Sequence, residues 1–182
     1  MRFPVFLDTS AVFGGALNDL LLTLAERGMF RPLWSAGVFE ELQRTLVRRG
    51  ITPDAADRRI SMMRSAFPDA EVTGYDELIP AMTCDEGDRH ILAAAVRANV
   101  ELLVTFNLRH FPDDALEPYD IEARHPDDFL LDQLELREDV VLTVLRTVLS
   151  SYENPPMTVD EYLELLARAG VPRFAERARR YL

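Results

Sequence analysis

Apolar residues follow two rhythms along this chain. Phe3-Pro4-Val5-Phe6-Leu7 is an unbroken apolar run, the pattern of a central, parallel strand covered on both faces. Ala16, Leu17, Leu20, Leu21 and Leu24 then recur with a helical period over 16–27, and Gly28 stops that helix. Residues 31–35 read as a short strand, and 37–49 as a helix ending at Gly50. Thr52-Pro53-Asp54 puts an N-cap before a proline at the first helical position. The helix it opens ends before Pro68, and 71–73 is another short strand. Asp85 caps a helix reaching 98, with Asn99 as its C-cap. Residues 101–106 form the clearest second strand, and 121–123 a last edge strand before His125-Pro126.

Past residue 127 the pattern is wholly helical. Phe129, Leu130 and Leu134, then Val140, Val141, Val144, Leu145 and Val148, fit two helices or one bent helix. Pro155-Pro156 breaks the run. Thr158-Val159-Asp160-Glu161 is a capping box opening 159–169. Gly170 stops that helix, and Pro172 starts a basic one running to Leu182. The alternation of strand and helix up to 125 predicts an α/β core around a parallel sheet. The expected organisation is one unit over 1–126 and a C-terminal helical extension over 127–182.

Composition narrows the function. With 182 residues and 48% hydrophobic content, the chain can bury a sizeable core. No apolar stretch approaches the roughly 18 residues of a membrane span. The N-terminus shows no signal-peptide pattern. A cytoplasmic protein with no membrane partner is expected. Cys84 is the only cysteine, which excludes an internal disulfide and a cysteine-based metal site. All 20 basic residues are Arg, which excludes P-loop, kinase and Schiff-base chemistry, since each needs a Lys. The net charge of −11 repels nucleic acid at long range. That argues against a general nucleic-acid-binding module, but not against an enzyme whose bound cations reverse the local field.

Polar residues stand where apolar segments end. Asp8 closes the first strand and Asn107 the 101–106 strand, and parallel sheets bind ligands at their carboxyl ends. On a helix, Glu41 lies about 60° from Val38, at the border of the core, whereas Glu40 lies about 160° away. Asp88 lies about 60° from Ile91, on the buried face. Charges at the edge of a core need something to offset their desolvation. Asp8, Glu41 and Asp88 meeting around one divalent cation, with Asn107 as a neutral oxygen ligand, would supply it. All-oxygen ligation suits Mg²⁺ or Mn²⁺, and the matching chemistry is phosphodiester hydrolysis. Each residue also has an ordinary reading: Asp8-Thr9-Ser10 as a turn, Glu41 as a solvated acid, Asp85 as an N-cap, Asp88 as a helix-dipole charge, Asn107 as a turn residue. Their order, spacing and burial together favour the joint reading.

Four segments carry a resemblance: Leu7-Asp8-Thr9-Ser10-Ala11-Val12, Ser35…Glu41-Leu42, Asp88-Arg89-His90-Ile91-Leu92-Ala93-Ala94-Ala95, and Leu103-Val104-Thr105-Phe106-Asn107-Leu108-Arg109-His110-Phe111. Over 3–125 the chain resembles the PIN-domain ribonuclease family, with its VapC-like toxins. The resemblance implies a three-layer α/β fold with a central parallel sheet. It implies a Mg²⁺- or Mn²⁺-dependent endoribonuclease, an RNA substrate and a small antitoxin partner, and it is compatible with a homodimer. By resemblance, Asp8, Glu41 and Asp88 fall on the three most regular acidic positions. The fourth position, often Asp, is Asn107, and Asp85 is an extra acid able to support a second ion. The segment 123–130 looks like the continuation found in one branch of the family.

Two other readings stand beside this one. A PIN-like RNA- or protein-binding scaffold with little activity would suit the acidic surface and Asn107. An aspartyl-nucleophile phosphatase would want an Asp at Ser10 and a Lys, and has neither. His90 reads as a helix-surface residue, His110 as an RNA contact, and none of the three histidines need be a ligand. Arg44, Arg48 and Arg49 form a local basic face suited to RNA phosphate or to solvent. The arginines of the last helix could meet a partner or an acidic surface of their own chain.

Overall fold

The apolar run after Phe3 forms β1 (Pro4–Leu7), and Val5, Phe6 and Leu7 are all fully buried. Successive strand residues point to opposite faces, so both faces of β1 are covered. This is the computed structural model of the chain, and it describes residues 2–153 and 155–182. After β1 come α1 (Thr9–Phe13), α2 (Gly15–Glu26), β2 (Arg31–Ser35), α3 (Ala36–Arg48), α4 (Pro53–Ala66) and β3 (Glu71–Val72). Next are α5 (Arg89–Arg97), β4 (Leu102–Val104), α6 (Asp113–Leu116) and β5 (Glu122–Arg124). Four helices close the chain: α7 (Pro126–Leu136), α8 (Glu138–Ser150), α9 (Val159–Arg168) and α10 (Pro172–Arg179). Short 3₁₀ turns at Asp76–Ala81 and Glu86–Asp88 precede α5.

All five strands pair in parallel, in the order β3-β2-β1-β4-β5. Val5 faces Pro32 on one side and Leu102 on the other. The chain moves outward from β1 through β2 to β3, then returns to the opposite side of β1 to lay down β4 and β5. The crevice opened by that reversal lies at the carboxyl ends of β1 and β4, where parallel sheets take their ligands.

Local chemistry explains most element boundaries. Thr52 caps α4 through its hydroxyl, and Thr158 and Glu161 complete the capping box of α9. Asn99 follows α5 at φ 51, the left-handed conformation that Asn tolerates. The structure also refines the reading of the sequence. The short α1 carries no periodic signal, because five residues are too few to display one. The strand expected over 101–106 stops at Val104. Beyond it the Phe106 and Asn107 amides turn to the hydroxyls of Ser10 and Thr105, which compete with a ladder for backbone donors. The helix expected from Asp85 starts at Arg89, after a 3₁₀ turn in which the Asp85 carboxylate accepts from the Gly87 amide. The run after 127 is two helices, broken at Arg137.

The C-terminal helices share one continuous apolar core with the sheet. α2 packs against α8 and α9, and α10 against α7 and α9. Val171 offers α10 no side-chain cap. Buried Asp127 supplies it from a distance: Oδ1 accepts from the Phe174 amide at 2.7 Å and Oδ2 from the Arg173 amide at 3.1 Å. The basic last helix meets acids of its own chain, Arg173 with Asp128 and Arg179 with Asp160 and Glu176. No helix among the described residues is long and apolar enough to cross a membrane.

A shared core makes unfolding a single event. Leu163→Ala in α9, at a fully buried position, should cost about 2–5 kcal/mol. In urea it should shift one common transition, seen alike by far-ultraviolet circular dichroism and by Trp34 fluorescence. Met62→Ala, 72% exposed, should stay within about 0.5 kcal/mol of the parent. Two separated transitions for Leu163→Ala would mean that the extension melts on its own.

Candidate functional site

Asp8 follows β1 directly, and its amide donates to the Val104 carbonyl at 3.0 Å, so the sheet itself fixes where the residue stands. The side chain is 2% exposed. Two hydroxyls hold it. Ser10 Oγ donates to Asp8 Oδ2 at 2.6 Å and Thr105 Oγ1 to the same oxygen at 2.7 Å. Each hydroxyl has one proton, and both protons go to Asp8. The hydroxyls are in turn aimed by backbone amides: Phe106 donates to Ser10 Oγ at 3.0 Å and Asn107 to Thr105 Oγ1 at 3.0 Å. Asp8 Oδ1 accepts from no described residue.

The other two carboxylates repeat this arrangement. α3 starts immediately after β2, with the Ser35 hydroxyl accepting from the Val38 amide, and this sets the helix face. Glu41 is half-buried beside the core and Glu40 is exposed, as the helical angles require. Thr9 Oγ1 donates to Glu41 Oε2 at 2.9 Å, and Oε1 accepts from no described residue. Asp88 is the N-cap of α5, and its side chain is 14% exposed. His110 Nδ1 lies 2.7 Å from its Oδ2. With Asp88 ionised, that nitrogen carries the proton. Asp88 Oδ1 is left without a protein donor among the described residues.

The charges of these carboxylates act on one another. Burial pushes the Asp8 carboxyl above the usual carboxylate range; the two hydroxyls oppose this, and the charges of Asp88 and Glu41 push it higher. Burial likewise raises Asp88, with His110 opposing and Glu41 and Asp85 adding to the rise. No Arg contacts any of the three carboxylates through an ion pair among the described residues. Cys84, nearby, is a buried thiol pushed up to about 11 by burial and by Asp88, so it stays protonated at neutral pH.

Asp85 stands at the rim, exposed, with its amide on the His110 carbonyl. One ligand-type atom from each of Asp85, Asp88 and His110 lies within 4.8 Å of the others. This acidic cluster can hold a metal ion; among the described residues, Asp8 and Glu41, expected as ligands with Asp88, do not join it within that distance. Asp85 and Asp88 are ligands expected from the sequence, whereas His110, expected there as an RNA contact, joins them. The available signal was the spacing of Asn107 and His110 across a single 3₁₀ turn, which brings the imidazole back toward the strand end. Asn107 is half-buried, with its amide on Thr105 Oγ1, and its side chain makes no hydrogen bond among the described residues. His90 packs on the backbone of Gly37, where a Cβ would sit 2.7 Å from its Nδ1. A groove of ≈ 750 Å³ runs outward from Glu41 between Gly87, His90 and Pro53. Arg44 and Arg48 also line it.

Comparison with known proteins accounts for both halves of the chain. The family model described as PIN domain matches residues 4–109, and that described as VapC50 C-terminal domain matches residues 126–180. A Mycobacterium tuberculosis protein named "Putative ribonuclease VapC50" is 53% identical over 107 residues, which cover 59% of this chain and 63% of that protein. The matched stretch is therefore somewhat under two thirds of the relative's length. No solved structure matches the chain. With a buried aspartate at the end of the first strand of a parallel sheet and a family match over more than half its length, the chain belongs to the PIN domain family.

Proposed function

We propose that this protein is a Mg²⁺- or Mn²⁺-dependent endoribonuclease, the toxin of a type II toxin–antitoxin pair, cytoplasmic and restrained by a small antitoxin protein. One observation carries the reading: Asp8, Glu41 and Asp88 each have one oxygen tied to a hydroxyl or imidazole and the other without a protein donor among the described residues. The free oxygens of mutually repelling carboxylates are a donor set for a hard divalent cation. Asp8, Glu41 and Asp88 would be its ligands, with Asp85 and Asn107 beside them. The relative's printed name, a ribonuclease, agrees with this chemistry.

The chain's own residues then divide the work. Ser10 and Thr105 hold Asp8 in one orientation by its Oδ2, which leaves Oδ1 available to an ion. Thr9 does the same for Glu41, and His110 for Asp88. A divalent cation bound there would supply the positive charge that a phosphodiester needs, both to polarise its phosphorus and to make an attacking water more acidic. Arg44 and Arg48 form no ion pair among the described residues and line the groove beside Glu41. They are suited to neutralise flanking phosphates in a protein whose net charge of −11 otherwise repels RNA. Asn107 has no charge to add, so a second ion would rely on exposed Asp85.

Purified protein should cleave single-stranded RNA internally in Mn²⁺ or Mg²⁺, and EDTA should abolish the cleavage. Calorimetric titration should find Mn²⁺ binding strongly weakened by Asp8→Asn and unchanged by Glu40→Gln. Cleavage that survives EDTA undiminished would end the metal-dependent reading.

Arg44→Gln combined with Arg48→Gln should raise KM for RNA several-fold, with kcat nearly unchanged, because the lost contacts are the same in ground and transition states. The salt dependence of KM should flatten as well.

The raised pKa of Asp8 fixes a further outcome and its sign. The folded state holds the Asp8 proton more tightly than the unfolded chain, whose value is near 3.8. Ionisation therefore destabilises the metal-free fold as pH rises from the unfolded value through the folded one. Asp8→Asn keeps an acceptor for Ser10 and Thr105 and removes the charge. In EDTA it should melt above the parent at pH 7, with the advantage fading as pH falls toward 4. In saturating Mn²⁺ the order should reverse, because only the parent gains from binding.

A further inference from the structure

Gly170 ends α9 at φ +100. Such a residue is an ordinary helix stop, but here its backbone is pressed onto an aromatic ring. A Cβ at Gly170 would lie 2.6 Å from Phe106 Cε1, closer than Cβ atoms approach a neighbour, and 3.0 Å from Cζ, so the ring would have to move. The same ring meets His125 edge-on, with centroids 4.8 Å apart at 88°. His125 is the N-cap of α7, its Nδ1 accepting from the Asp127 amide. The Asp127 carboxylate in turn accepts from the Arg173 and Phe174 amides that open α10. The start of α7, the α9–α10 turn and the start of α10 are thus tied together, and both their aromatic and backbone contacts bear on Phe106.

Phe106 sits one hydrogen bond from the site. Its amide donates to Ser10 Oγ, whose only proton goes to Asp8 Oδ2. The next amide, Asn107, aims Thr105 Oγ1 at the same oxygen. If the 105–107 backbone shifts, both hydroxyls that hold the Asp8 carboxylate shift with it. We propose that the C-terminal helical segment is a working part of the PIN-domain site: Gly170 and His125 hold Phe106, and Phe106 fixes, through Ser10, the direction in which Asp8 offers its free oxygen. Gly170 and Phe106 are positioning residues for the cleavage proposed above, and the inference rests on that reading for its effect on metal and rate. The lack of a side chain at residue 170 is required by the ring as well as by the helix stop, and that separates the proposal from a purely structural role.

The test is a double-mutant cycle in the full chain. Gly170→Ala should weaken Mn²⁺ binding by calorimetry and lower kcat, each by about tenfold, the scale for disturbing a group that orients a metal ligand. KM for RNA should hardly change. Amide exchange at Phe106 and Asn107 should accelerate in the metal-free protein while the β1 amides stay protected. Phe106→Leu leaves room for the added methyl, so Gly170→Ala/Phe106→Leu should bind Mn²⁺ as well as Phe106→Leu alone, a non-additivity expected only of residues in contact. A folded Gly170→Ala protein with parental Mn²⁺ affinity and parental exchange would overturn the proposal. So would a double variant no better than Gly170→Ala, since backbone strain alone cannot be relieved at residue 106. Should Gly170→Ala not fold, Phe106→Ala carries the same measurements without adding bulk: weaker Mn²⁺ binding supports the strut, and parental binding refutes it. If the parent itself binds no Mn²⁺, the nuclease reading fails, while the exchange of the 105–107 amides still decides the coupling.

Discussion

Mutual repulsion among carboxylates constrains everything around the crevice. Asp8 is buried, and the charges of Asp88 and Glu41 raise its pKa further. Such a group is costly unless hydrogen bonds and a cation compensate it. The fold provides the hydrogen bonds through Ser10, Thr9, Thr105 and His110, each spent on one oxygen of one carboxylate. An Arg at the same place would neutralise the acids and stabilise the apo fold, and it would also fill the space the proposed ion would take. The site is therefore less stable than it could be, which is the usual relation between a functional site and its scaffold.

The sheet makes this arrangement rigid. Val5, Phe6 and Leu7 of β1 are fully buried with a paired strand on each side, so the end of its ladder is a fixed point. The reversal of strand order at β1 opens the crevice there, and α3 and α5 bring Glu41 and Asp88 to its margin from different connections. Residues 105–107 leave the ladder to aim hydroxyls at Asp8. The backbone groups given up by the sheet are thus used to orient the site.

The segment beyond residue 126 is more than an addition to a finished domain. It shares the core of the sheet. Its α10 lacks a local cap and borrows one from Asp127 at the start of α7. Its α9–α10 turn lies on Phe106. Packing and hydrogen bonding join it to the site by the same residues that join it to the fold.

Much of this was legible in the sequence. The apolar run at Val5-Phe6-Leu7 required a covered strand, and α/β alternation with Pro, Gly and Thr at helix ends required parallel strands joined by helices. The helical angle alone separated Glu41 from Glu40. These features follow from local sterics and from where apolar side chains must go, and both are written in residue order. Other features were decided only by tertiary structure. α1 was too short to show a period. The 101–106 strand was cut at Val104 by hydroxyls that belong partly to a distant segment. His110 reached Asp88 across 22 residues, and Gly170 reached Phe106 across the sheet and extension. Such contacts depend on which segments the completed core brings together, and no local pattern records them. The sequence determined which residues could carry charge into a core edge, and the packing of the sheet against its helices decided which of their oxygens were held and which were left free.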